Sequence, residues 1–147
     1  MEDFVSFEIA KKLKEKGFRE ECLCHYIGND LFYNIESPVA NKQLWFSHNK
    51  LDNVWHRDNY DAPTISQVLM WFRKEKDIHL EPCILADADT DADGKVIYEY
   101  TYWSFSIQSI ETGDMIYFEY EHIDDKRFNS YEQAAIAGIE YIIDNMI

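Results

Sequence analysis

The chain has 147 residues, the length of one domain, and its 46% apolar and 16% aromatic content excludes a disordered protein. Twenty-eight acids against 14 bases give a net charge of −14, and no stretch nears the roughly 18 consecutive apolar residues of a membrane span. The acidic start, Met1-Glu2-Asp3, is unlike a signal peptide, so the expected location is the cytoplasm with no membrane contact.

Ser6, with Glu8 in the first turn and Lys11, Lys12, Lys14 and Lys16 behind it, predicts a helix over 6–16. Phe7, Ala10 and Leu13 form its apolar stripe, and Gly17-Phe18 reads as a left-handed cap with an apolar contact back onto the helix. The lysines suit the solvated side of that helix. Residues 22–27, 31–35 and 43–48 read as short strands punctuated by Gly28-Asn29-Asp30 and Ser37-Pro38.

Cys22, Cys24 and Cys83 are three thiols, an odd count that argues against a disulfide framework. Cys22-Leu23-Cys24-His25 invites a zinc reading. A tetrahedral site takes about four ligands, and no second knuckle follows, so structural thiols are the expectation. Residues 49–62 are rich in Asn, Asp and His without periodicity and read as a loop. His48 and His56 with Asp52, Asp58 and Asp61 would be the residues of a small metal-dependent hydrolase carried by 48–61.

Thr64 and Gln67 form a capping-box pattern before a helix over 64–76, with Val68, Leu69, Trp71 and Phe72 as its buried stripe. A strand is expected over 78–85. Asp89, Asp91 and Asp93 ahead of Gly94 match the D-x-D-x-D-G start of a calcium loop. The match breaks at Tyr100, where a bidentate Glu belongs, and Asp and Gly are also ordinary turn residues. Calcium held by these three aspartates is the cofactor this segment raises.

Val96–Ile110 and Met115–His122 read as a hairpin around residues 111–114. Placing Ile110 opposite Met115 sets Ile107 against Phe118 and Phe105 against Tyr120, with Trp103 and Ile116 on the same apolar face. Ser104, Ser106, Gln108, Glu119 and Glu121 fall on a wet face, together with Tyr98, Tyr100 and Tyr102. Those three tyrosines with Glu119 and Glu121 are the candidate partner-binding residues; cross-strand packing by good strand formers is the plainer account of the tyrosines. A last helix over 131–146 opens with Ser130-Tyr131-Glu132-Gln133. Its small face, Ala134, Ala137 and Gly138, lets it lie close to a sheet.

The expected fold is therefore a single α+β domain over 1–147. An antiparallel sheet of five or six strands would carry three helices on it. Residues 1–77 hold 13 acids and 11 bases, whereas residues 78–147 hold 15 acids and 3 bases. The acidic half cannot neutralise phosphates, so direct nucleic-acid binding is excluded there and a protein partner is favoured. No G-x-S-x-G, P-loop, dinucleotide fingerprint or H-E-x-x-H is present. The expectation is a non-enzymatic accessory protein, and the oligomeric state stays open.

Two resemblances add to this. Helix, strand, strand, strand, helix over 64–147 resembles a double-stranded-RNA-binding domain. That family grips phosphates with lysines at the start of its last helix, where Asn129–Gln133 carries none. The resemblance implies the topology and not the RNA function. The whole chain resembles a family of small uncharacterised proteins of gut-bacterial genomes and their phages or prophages. The matching blocks are Phe4–Phe18, Ala62-Pro63-Thr64 with Trp71-Phe72-Arg73, and Ser130–Ala134 through Ala137-Gly138-Ile139. It implies a single domain of mobile-element type and brings no catalytic residues.

Overall fold

Ser6 starts the first helix as its sequence predicts. In a computed structural model, which describes residues 3–33, 59–109, 115–117 and 127–147, the Ser6 hydroxyl accepts the Ile9 N–H at 3.3 Å. Helix α1 runs Phe7–Glu15. Gly17 adopts φ +95°, and the Phe18 and Gly17 N–H groups donate to the Leu13 and Lys14 carbonyls at 2.9 and 3.1 Å. This paired closure is the one a glycine just past the helix end permits. Ile9, Ala10 and Leu13 are buried and Phe7 is half-buried.

The fold class is α+β, with three helices and antiparallel sheets among the described residues. The chain divides into two compact units, Met1–Trp71 with Ile142–Ile147, and Phe72–Tyr141. In the first unit β1 (Cys24–Ile27) lies between β2 (Asp30–Tyr33) and β3 (Asn59–Ala62). The register sets Cys24 opposite Ala62 and Tyr26 opposite Tyr60, which places these four on one face. Phe7 meets Tyr26 and Tyr60 edge-on at 5.9 and 5.4 Å, and the Tyr26 hydroxyl donates to the Val5 carbonyl at 2.6 Å.

Residues 59–62 correct the loop expected over 49–62. Asn and Asp are poor strand formers in isolation. Here Asn59-Tyr60-Asp61-Ala62 alternates, and pairing with β1 overrides the propensity. The strand expected over 43–48 and the rest of that loop lie outside the described residues.

Helix α2 runs Ile65–Glu75. Its capping box is complete: the Gln67 N–H donates to the Thr64 hydroxyl at 3.2 Å, and the Thr64 N–H to Gln67 Oε1 at 3.0 Å. Ile65, Val68, Trp71 and Phe72 are buried and Leu69 is half-buried.

In the second unit β5 (Val96–Ser109) lies between β4 (Ile78–Thr90) and β6 (Met115–Tyr117). The six strands thus form two three-stranded sheets among the described residues, where one sheet of five or six was expected. Short aromatic-rich strands carry no mark of which sheet they join. Strand β4 also runs through Asp89 instead of stopping near Leu85, because Ala86-Asp87-Ala88-Asp89 keeps the period of two.

The β5–β6 register sets Ile107 opposite Ile116 and Gln108 opposite Met115. That differs by two residues from the sequence expectation. A shift of two keeps every side chain on its face, so the apolar pattern could not exclude it. Ile107 and Phe105 are buried, at 0% and 3% exposure, and Trp103 is half-buried against the edge of Tyr131 at 5.7 Å. Ser104, expected to be wet, is buried as well. Phe118 and Tyr120 lie outside the described residues.

Helix α3 runs Tyr131–Asn145. Ser130 Oγ accepts the Gln133 N–H at 3.2 Å, and Gln133 Oε1 accepts the Asn129 N–H. Gly138 lies directly over Leu80, so a Cβ there would come 2.5 Å from Leu80 Cδ1. The small-residue face brings helix backbone onto the sheet as expected.

Candidate functional site

Strands β4 and β5 pair over Ile78–Thr90, a ribbon about 44 Å long at ~3.4 Å per residue. Its inner end carries the core residues Ile78, Leu80, Phe105 and Ile107. Its outer end differs. From Ala86 round to Thr101 every residue is exposed except Asp87 and Tyr100. Ile97 and Tyr98 reach 69% and 61% exposure, on opposite faces by alternation. Five acids and one base, Lys95, lie between residues 84 and 101.

Alternation builds the tyrosine face. Tyr98, Tyr100 and Tyr102 stand opposite Asp89, Asp87 and Leu85. The Tyr98 and Tyr100 rings stack at 5.7 Å and 26°, and Tyr100 and Tyr102 lie 6.4 Å apart. Arg127 closes the inner end of this ladder. Its guanidinium carbon sits 5.0 and 4.8 Å from the Tyr100 and Tyr102 centroids. Nη1 donates to the Tyr100 hydroxyl at 2.9 Å and Nη2 to Asp87 Oδ2 at 3.2 Å. The Tyr100 hydroxyl donates to the same Asp87 oxygen at 3.3 Å. The hydrogen bond to Tyr100, aided by the tyrosines and Asp87, pushes the Arg127 pKa above its ordinary value.

Arg127 is anchored by its neighbour. Phe128 exchanges both backbone hydrogen bonds with Trp103, at 3.0 and 2.9 Å, and its ring lies 6.1 Å from Phe105. Trp103, Ile84 and Thr101 join Arg127 and Phe128 around a concavity of about 350 Å³. A larger surface depression, about 870 Å³, lies along Ala86–Ala88 and Tyr98–Thr101.

The aspartate run closes the hairpin between β4 and β5. Asp91 Oδ1 accepts the N–H groups of Asp93 and Lys95, each at 2.9 Å, and Gly94 turns with φ +77°. This is a hairpin turn held by an Asx contact. Asp89 stands in β4 on the tyrosine face, and Asp93 lies in the turn. Among the described residues no group of three or more His, Cys, Asp or Glu is placed to hold a metal ion.

Of the histidine–aspartate set, His48, His56, Asp52 and Asp58 lie outside the described residues. Asp61 is fully buried on β3, opposite His25. No buried side-chain N or O among the described residues lacks a hydrogen-bond partner, Asp61 included. Cys22 and Cys24 are buried free thiols and Cys83 is half-buried. Burial, followed by the Asp61 charge, pushes the Cys22 thiol far up. Burial raises Cys24 and Cys83 too, and Glu81 adds to the rise at Cys83. Each rise favours the protonated thiol over the nucleophilic thiolate.

Of the predicted partner residues, the structure brings Tyr98, Tyr100 and Tyr102 together; Glu119 and Glu121 lie outside the described residues. Sequence reasoning missed Asp87 and Arg127 as members. Asp87 sits in an Ala-Asp alternation that a turn-prone residue type disguised. Arg127 had no local signal, since the pairing of Phe128 with Trp103 puts it there. No helix among the described residues is long and apolar enough to cross a membrane. Compared with family models, curated proteins and solved structures, the chain matches none.

Proposed function

We propose that this protein is a non-enzymatic, cytoplasmic accessory protein that binds a protein partner through the outer β4–β5 ribbon. The observation that carries the reading is the double exposure of that ribbon, with Ile84, Val96, Ile97 and Tyr98 all between 48% and 69% exposed. A two-stranded ribbon without a covering layer is marginal in water. Large apolar groups in such a position fit a surface that is covered on association. Five carboxylate residues between 84 and 101 select a basic partner and disfavour nucleic acid. The same reading takes the accessory to be a product of a mobile element, in keeping with the sequence blocks Phe4–Phe18 and Ser130–Ala134.

The test is a photo-crosslinking residue in place of Ile97, compared with one in place of Leu31 on β2. The reading expects a discrete crosslinked species from position 97, weakened by salt and lost in the Tyr98→Ser background. Equal capture from both positions, or capture that survives Tyr98→Ser, would refute it.

A further inference from the structure

The contact at Arg127 is a worked instance of what this face recognises. One guanidinium lies over two neighbouring tyrosines, donates to the hydroxyl of one and forms an ion pair with the aspartate opposite it. Both strands repeat every two residues, so the arrangement recurs one step outward. There Asp89 stands opposite Tyr98 as Asp87 stands opposite Tyr100. Tyr98 and Tyr100 are closer than the inner pair, 5.7 against 6.4 Å, and similarly tilted. The inner step is filled by the chain itself. In the outer step, no lysine or arginine among the described residues pairs with Asp89 or lies over Tyr98. Both residues are exposed.

We propose that the outer step, formed by Asp89, Tyr98 and Tyr100, is a receptor for an arginine side chain of a basic partner peptide. This rests on the docking reading above and names the chemistry of its partner. Arginine is favoured over lysine because only a planar, forked guanidinium can stack on a ring while donating to a hydroxyl and a carboxylate at once. A divalent cation is a poor occupant. Asp89 is the only carboxylate in the step, and Asp91 spends an oxygen on the turn amides.

The experiment titrates the protein with blocked tri-arginine and, separately, blocked tri-lysine at low salt. The tyrosine ring resonances are followed by NMR, and Tyr98 is assigned through Tyr98→Phe. Expected are saturable shifts at the Tyr98 and Tyr100 rings with tri-arginine, at least several-fold tighter than with tri-lysine. Asp89→Asn should weaken binding about five-fold, the order of one exposed cation–π or ion-pair contact. Arg127→Ala should vacate the inner step and extend the shifts to Tyr102. Equal binding of the two peptides, or shifts that miss Tyr98, overturns the proposal. Concentration-dependent Tyr98 shifts without peptide would identify a second copy as the occupant and overturn it too. Crosslinking from position 97 with no tri-arginine response would leave docking standing and remove the arginine receptor alone.

Discussion

Cys22 couples this protein to pH through a single proton. Its folded-state thiol is raised by burial and by Asp61, while in the unfolded chain it returns to about 8.5. Below that value both states hold the proton and the contribution is fully present. As pH rises above it, the unfolded state releases the proton first, and stability is lost toward the raised folded value. Urea unfolding should therefore show stability falling between pH 8 and 10, and Cys22→Ser should flatten that slope. Cys24 and Tyr26, both raised by burial, act with the same sign. At Gly138 two effects compete. Alanine would gain about 1 kcal/mol of helix propensity, but its methyl would meet Leu80, itself only 4% exposed. Overpacking costs about 1–3 kcal/mol, so Gly138→Ala should lose about 1 kcal/mol net by urea unfolding. Adding Leu80→Val should recover part of it, a non-additivity that marks direct contact.

Among the elements, the helices were the most legible because their signals are local. Ser6, Thr64 and Ser130 each accept the N–H three residues on. Thr64→Ala removes one half of a reciprocal cap and should cost about 1 kcal/mol, read as a lower urea midpoint with unchanged slope. The strands were legible where apolar and polar residues alternate, and lost where Asp supplied the polar half. Asp61 in β3 and Asp87 and Asp89 in β4 all sit in ladders that their residue type disguised. The tyrosine face was visible from spacing alone. Its arginine was not, because Arg127 arrives through a backbone pairing between residues 25 apart.

The whole molecule carries −14 charges on 147 residues. Mutual repulsion among them opposes compaction, and salt screens it over about 8 Å at physiological strength. Raising NaCl from 20 to 500 mM should therefore raise the melting midpoint by several degrees, followed by circular dichroism. An unchanged or lowered midpoint would mean that specific ion pairs outweigh the repulsion. Charge and its uneven placement came straight from composition. The division into two units, each with three paired strands among the described residues, did not. It depends on which strands find each other across long sequence separations, and alternation encodes only which face of a strand is apolar.

Among the described residues strand β4, 13 residues long, is the outermost member of its sheet, a long seam onto which another extended chain could zip. Pro82 removes one amide from that seam, and Glu81, Asp87 and Asp89 guard it with like charge. Toward the isoelectric point near 4.6 the net charge that keeps copies apart falls to zero while the seam remains, so mild acid, more than warmth, is the condition under which copies of this protein would knit into fibres.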